Sequence, residues 1–272
     1  MELYYLNSEG EKLDFTKPPY VPRDISELLD YEWGYESEGD GITGFTKEMA
    51  ELSIVLNVFA DYEETYLKAC DRLFTITEKD VIKNAKGRLY YNGQYVLCNL
   101  IGSTKKDWCM GVSFHLCYMR LITDRPVWIK EKEYIFKYSN ITSTNNKNYP
   151  LKYPYRYANG MKIVNVQNDA IDSAHFMLRF YGPAVNPMIT IAGNPYTVHA
   201  VVEAGEYIEI NSLKKTVIKK MITGTEVNLF HYKGKNLFRK ILPGQHVVQC
   251  GNFDFDLTLF EERSEPRWQS SE

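Results

Sequence analysis

The sequence predicts a mostly β protein: an amino-terminal β-sandwich-type domain with one α-helix, followed by an antiparallel β-sandwich. Three observations carry that prediction. Short apolar runs with period-two alternation recur through the carboxyl half, separated by turn residues every ~8–12 positions, which is the pattern of a sandwich. A single stretch beginning at Asp61 has helical spacing instead. Between the halves, residues 139–160 exchange aliphatic side chains for Asn, Ser, Thr, Lys, Tyr and Pro. The chain of 272 residues exceeds the usual size of a single core. The expected division is therefore 1–138, a junction at 139–160, and 161–272.

Taken in order, residues 1–6 and 12–15 flank Asn7-Ser8-Glu9-Gly10, an opening hairpin with Gly10 at positive φ. Pro18, Pro19 and Pro22 mark an ordered arm. Residues 28–35 read as a strand, and the loop Gly39-Asp40-Gly41 leads to another with Leu52, Ile54, Leu56 and Val58 on one face. Asp61, with Glu64 three residues on, forms a capping-box pattern that opens the helix, whose shared face holds Tyr62, Tyr66, Cys70, Leu73 and Phe74. Asn92-Gly93 between two strand-like runs is the strongest short hairpin signal. Val112, Phe114, Leu116 and Tyr118 alternate as a further strand. Tyr149, Tyr153, Tyr155 and Tyr157 cluster in the junction; with 21 tyrosines in the chain, packing or interface use outweighs sugar stacking there.

In the carboxyl half, Phe176, Leu178 and Phe180 alternate with Met177, Arg179 and Tyr181. In the last strand Phe253, Phe255, Leu257 and Leu259 alternate with Asp254, Asp256 and Thr258, so the aromatic and aliphatic residues face a core and the aspartates face water. Pro266 has no N–H to extend a ladder, so the strand stops before it. Trp268 predicts a docked tail, with Arg263 paired to a carboxylate.

The order Tyr181-Gly182-Pro183, Asn186-Pro187, Gly205-Glu206-Tyr207-Ile208-Glu209-Ile210, Gly224 with Asn228, Phe238, Leu242-Pro243-Gly244, and Glu261 with Arg263-Ser264-Glu265-Pro266-Arg267-Trp268 resembles the distal tail protein of long-tailed, non-contractile phages of Gram-positive bacteria. That family is the tail-tip or baseplate hub component. The signature is one of order and spacing, carried structurally by Asn186, Pro187, Gly205, Gly224, Pro243, Gly244, Glu261, Arg263, Ser264, Glu265, Pro266 and Trp268, with a weaker likeness over the first half. The resemblance implies a galectin-like carboxyl sandwich and an amino half that closes a homohexameric ring at the tail tip, leaving a channel for DNA. It further implies the tail-tube protein, the tail-associated tip or lysin protein, the tape measure protein and, in some phages, receptor-binding proteins as partners. The expected location is the virion, with the host cytoplasm during assembly.

Composition fits such a conduit. With 32 Lys and Arg against 35 Asp and Glu, the net charge of −3 suggests no extended basic groove for nucleic acid, although the balance leaves room for a local basic patch, so DNA would pass without the phosphate contacts that retain it. The chain opens on Met1-Glu2-Leu3-Tyr4 without a cationic segment and an apolar one behind it, and no run reaches the ~20 apolar residues of a span, so neither export nor membrane insertion is expected. Five cysteines lack C-x-x-C spacing, and Cys98 and Cys117 sit in apolar runs as buried thiols.

The chain carries no nucleophile elbow, no H-E-x-x-H, no Walker loop and no dinucleotide fingerprint, so no catalytic, cofactor or metal site is expected. Gly39 to Gly44 is a plain loop, because a strand and not a helix follows it. His115, His175, His199, His231 and His246 stand singly. Asp254 and Asp256 would suit a Ca²⁺ ligand set or a carboxylate pair, against the simpler reading of a solvated strand face. The alternative function is a carbohydrate-binding β-sandwich module or, less favoured, a β-sandwich glycosidase acting on the bacterial surface, since paired carboxylates brought together by folding leave no local signature.

Overall fold

In a computed structural model, which describes residues 2–138 and 162–268, the opening turn forms as its residues require. Gly10 has φ +86°, and Leu3–Leu6 pairs antiparallel with Lys12–Asp14. Leu3–Leu6 also pairs with Gly87–Tyr91, which Asn92 and Gly93, both at positive φ, join to Gln94–Lys106. Gln94–Lys106 serves two sheets. Its first half pairs with Gly87–Tyr91 and its second with Phe114–Thr123, and a register shift between Leu100 and Gly102 accompanies the change. A bulge at such a point bends a strand from one sheet into the next. Ala50–Phe59 and Tyr20–Asp24 complete the second sheet.

The helix Glu63–Ile82 covers this core with Tyr66, Ala69, Leu73 and Ile76. Those positions follow steps of three and four, one stripe of a 3.6-residue helix. Tyr62 and Phe74, expected on the inward face, lie outside: Tyr62 stands ahead of the first helical turn, and Phe74 is turned about 100° from the buried Leu73. Nor does Asp61 cap the helix. Tyr62 holds the N-cap in an extended conformation with no side-chain cap bond, and Glu63 and Glu64 in the first turn meet the positive end of the helix dipole instead.

Two strand expectations change. Residues 28–35 divide into a one-turn helix, Ser26–Leu29, and a later strand, Gly34–Glu38. The cause is Asp24, whose carboxylate accepts the Ser26 N–H (3.0 Å) and hydroxyl (2.8 Å), a turn that competes with extended chain. In Phe114–Thr123 the core contributors are Cys117, Met119 and Leu121, not Phe114 and Tyr118. Leu116 is buried as well. A strand covered on both faces reads as a nearly continuous apolar run, and alternation alone then picks the wrong parity.

The second unit is a two-sheet sandwich. One sheet carries Glu226–Asn228, Thr216–Lys220, Tyr207–Asn211, His175–Tyr181 and Phe255–Arg263 in that order; the other carries Lys162–Asn168, Gly244–Cys250, Met188–Ile191 and Asn194–Thr197. Inward residues meet inward residues across each ladder: Phe180 opposite Phe255, Leu178 opposite Leu257, Phe176 opposite Leu259, and Leu178 opposite Ile210 on the other side. All are fully buried, against Ile189, Ile191, Tyr196 and Val248 of the facing sheet. One-residue slippage would turn every one of them outward, so the register is fixed by the core.

The aspartates of the last strand are not a free solvated face. Asp256 accepts the Tyr181 hydroxyl at 2.5 Å, and Asp254 accepts the Tyr138 N–H at 2.6 Å, each carboxylate half-buried. Asp256 lies opposite Arg179, two residues from Tyr181, so the long tyrosine reaches it diagonally.

By packing, the chain divides into Met1–Lys130 with Arg263–Glu272, and Glu131–Glu262. Both boundaries fall inside strands, Trp128–Phe136 and Phe255–Arg263, where no turn residue or change of composition marks them. The junction at 139–160, with Tyr149, Tyr153, Tyr155 and Tyr157, lies outside the described residues.

Candidate assembly surface

The signature residues are scattered turn and backbone positions, not a pocket. Asn186, at φ +50°, donates its N–H to the Ala200 carbonyl (2.9 Å), while the buried Pro187 offers its carbonyl to the Thr197 hydroxyl (3.1 Å). Gly205 turns the chain at φ +83°, and a Cβ there would press on Ile222. Beside it the buried Glu206 accepts the Glu203 N–H (2.9 Å) and pairs with Lys219 (2.6 Å); the Lys219 hydrogen bond is the main cause that lowers the Glu206 pKa. Gly224 closes a turn on Met221, and Gly244, after Pro243, opens a strand at φ +100°.

At the carboxyl end the tail is held by its backbone and not by Trp268 or an Arg263 ion pair. Gln94 clasps the backbone of Arg267 from both sides, accepting its N–H (3.0 Å) and donating to its carbonyl (3.4 Å). Pro266 is buried. Trp268 stays 63% exposed, with its indole N–H on the Glu265 carboxylate (2.6 Å). Arg263 enters no ion pair among the described residues, Glu261 accepts the Asp169 N–H (3.3 Å), and Ser264 lines a cleft described below.

Several reactive side chains are bound up in structure, although the Cys109 thiol is exposed. His115 is buried, its Nδ1 within 2.7 Å of the Tyr66 hydroxyl, and burial lowers its pKa. His246 meets the Leu242 carbonyl (2.7 Å) and His175 lies 3.3 Å from the Ser212 hydroxyl. Burial pushes the Cys98 thiol up to about 12, as a structural cysteine requires. Among the described residues no cluster of His, Cys, Asp and Glu is arranged to hold a metal ion, and no helix is long and apolar enough to cross a membrane.

The buried carboxylate of Asp80 ties the helix to the opening hairpin. It accepts the Tyr5 hydroxyl (2.5 Å) and the Ser8 N–H (2.9 Å), and burial first, that hydrogen bond second, raises the Tyr5 pKa. Gly87 is glycine because a Cβ would strike the Tyr5 ring. Lys79 adds a bridge to Glu9 (3.2 Å) and Glu11 (2.7 Å) at the rim.

Among the surfaces the first unit leaves uncovered is a hairpin. Gly34–Glu38 and Gly41–Thr46 pair only with each other. Tyr35 lies opposite Phe45 and Ser37 opposite Ile42, while Glu36 and Glu38 face Gly44 and Gly41. A register shift after Glu36 makes this possible: in an unbroken ladder Ile42 would face Glu38 and fall on the other side. The arm is thus amphipathic, with one apolar face of Tyr35, Ile42 and Phe45, exposed by 67%, 60% and 66%, and one acidic face. Gly39 to Gly44, expected as a plain loop, in fact begins the second strand of this hairpin at Gly41. The alternation of Tyr35 and Ser37 with Glu36 and Glu38 ahead of Asp40-Gly41 was the available signal.

Two depressions flank this unit's surface. A cleft of about 610 Å³ at the root of the arm is floored by Leu28, Leu52, Val96 and Trp128 and rimmed by Asp30, Glu32, Glu48 and Glu51. Lys47 reaches across it to the Pro126 carbonyl (3.0 Å) and over the Trp33 ring (4.8 Å); burial lowers its pKa. A groove of about 310 Å³ between the helix and the proline segment has Leu13, Pro18, Pro19 and Tyr20 for walls and Lys12, Lys17, Lys68 and Arg72 around them.

No family model matches the sequence, and no curated protein matches it. Solved structures do. A chain of the phage P2 baseplate in its activated conformation with Ca is 14% identical, with 98% of this chain and all of that chain covered at a TM-score of 0.63. The same baseplate with Sr gives 14% identity, 97% and 99% coverage and 0.62. The SPP1 Dit (gp 19.1) protein, described as a paradigm of the hub adsorption apparatus in Gram-positive infecting phages, gives 12% identity, 97% and 100% coverage and 0.55. At these identities the likeness is one of fold, and it runs through both units: the chain has the fold of phage distal-tail and baseplate hub proteins.

Proposed function

We propose that this protein is a structural virion component, the hub at the distal end of a phage tail. Its first unit closes a hexameric ring, its galectin-like second unit stands on that ring, and DNA passes through the centre. The tail-tube protein lies on one side; the tip or lysin protein and the tape measure protein meet the hub, with receptor-binding proteins docking in some phages. The observation that carries this reading is the fold match over 97–98% of the chain to proteins whose own length it covers almost entirely. The exposed apolar face of the arm supports it, because a contiguous apolar patch rimmed by polar residues marks a surface that something covers. So does the near balance of charge, which leaves transiting DNA little to hold. The signature residues from Asn186 to Trp268 then serve as turns and tail anchors, and no catalytic role is assigned to them.

Light scattering on the full-length protein, with electron microscopy of the same sample, tests the proposal. Six copies around an open centre is the expected result. A protein that stays monomeric with tail-tube and tip proteins present would remove the hub reading.

One observation favours a second reading, a carbohydrate-binding module. On the outer face of the second unit, the Tyr181 and Tyr207 rings lie 5.8 Å apart, and Arg179 is fixed to Glu209 (2.9 Å) beside them. Aromatic rings beside preset polar groups suit a sugar's apolar face and hydroxyls. Specific binding on a glycan array, abolished by Tyr207→Ala, is what this reading requires.

A further inference from the structure

Within the ring reading, the first unit presents two surfaces of opposite charge that share an apolar character. The arm carries Glu36, Glu38 and Asp40, all exposed, behind its face of Tyr35, Ile42 and Phe45. The groove between the helix and the proline segment places Lys12, Lys17, Lys68 and Arg72 against a single acid, Asp14. We propose that the arm of one copy seats in that groove of the next copy, its apolar face on Pro18 and Pro19 and its carboxylates among the four cations. This inference rests on the ring reading and names the contact that closes it.

Three points select this pairing. The larger cleft at the arm's own root is the obvious rival, but its rim of Asp30, Glu32, Glu48 and Glu51 outweighs Lys47 and repels an acidic arm. The groove cations have partners that leave donors over: Lys17 with the half-buried Asp14 (3.4 Å), Lys68 with Glu64 (2.5 Å), Lys12 over the half-buried Tyr4 ring (3.6 Å), and Arg72 with the Lys12 carbonyl (3.1 Å). An ammonium has three donors and a guanidinium five, so each cation has capacity for an incoming carboxylate. Finally, arm and groove share no residue, so the contact is heterologous: each copy offers one surface and accepts on the other, the arrangement that generates a ring when its rotation closes.

Charge reversal on full-length protein tests it. The arm variant E36K/E38K/D40K and the groove variant K17E/K68E/R72E each change exposed side chains only. Each alone sets like charges together and should weaken association at least about tenfold, as juxtaposed like charges do. Mixing the two restores assembly, because the cationic arm of one meets the acidic groove of the other while the remaining acidic arm meets the remaining cationic groove. Light scattering gives the masses, and thermal melting of each variant checks its fold. Assembly of either variant as tight as wild type overturns the arm contact and leaves the ring reading standing. A mixture that fails to reassemble also overturns it. Wild-type protein that is monomeric at every concentration with tail-tube and tip proteins present removes the ring reading, and this contact with it.

Discussion

The arm of Gly34–Glu38 and Gly41–Thr46 and the ladder of His175–Tyr181 on Phe255–Arg263 are built from the same parts: antiparallel strands, aromatic residues on one face, acids on the other. Their surroundings are opposite. Phe176, Leu178 and Phe180 lie against a second sheet of the same unit and are fully buried, whereas Tyr35, Ile42 and Phe45 stand in solvent at 60% or more of their area. An amphipathic strand pair therefore declares that one face wants cover without declaring who supplies it. In the second unit the chain covers itself; in the first it leaves the face exposed.

The largest expected effect tests the covered side. Phe255→Ala removes a fully buried ring between Phe136 and Phe180 and should cost ~3–5 kcal/mol in chemical denaturation of the full chain. A loss below about 1 kcal/mol would place this ring outside the core and erase the contrast.

The first unit is as tight inside as the second, and Tyr5→Phe measures that. The change strips the hydroxyl from the Asp80 carboxylate in a site closed to water and should cost ~1–3 kcal/mol. An unchanged midpoint would mean that water replaces the hydroxyl and that this end of the helix is open.

Alkali offers a reading on buried phenols of both units. Burial raises Tyr20 in the first unit and Tyr181 in the second from the ordinary 10.0 to about 12. A folded value above the unfolded one gives stability that is fully present below pH 10 and is lost as pH rises through about 12. For the enclosed Tyr20 the loss is ~1 kcal/mol by pH 11. Unfolding followed at pH 8 and pH 11 checks it; equal stability at both would show the phenols ionising freely.

Asp256→Ala should cost about 1 kcal/mol through the lost Tyr181 bond, well short of its neighbour Phe255. The smallest effect belongs to the uncovered side. Tyr35→Ala with Phe45→Ala should shift the unfolding free energy of the monomer by no more than ~0.5 kcal/mol while reducing association. If the double substitution unfolds the monomer instead, the arm packs on its own unit and the comparison fails.

How much of this could be read beforehand follows the same division. Phe255, Leu257 and Leu259 were legible because one buried face forces strict alternation, and Asn92-Gly93 because a two-residue turn demands those φ values. The arm was hidden: the shift after Glu36 changes the side on which Ile42 emerges, and a pattern of period two cannot anticipate a bulge. The groove joins residues near Lys12 to others near Lys68, a juxtaposition no local pattern contains. Asp61 misled because a capping sequence competes with the conformation of its neighbour, and Tyr62 took the extended one.

The return of the chain to its first unit at Arg263 bears on how the protein is made. A ribosome delivers Gln94 before Glu131–Glu262, and Arg267, whose backbone Gln94 clasps, after it. The first unit therefore waits, unfinished, while all of Glu131–Glu262 is synthesised. A nascent chain released early, whatever the state of its second unit, lacks the segment that completes the first. Completion of the first unit is thereby tied to synthesis of the second.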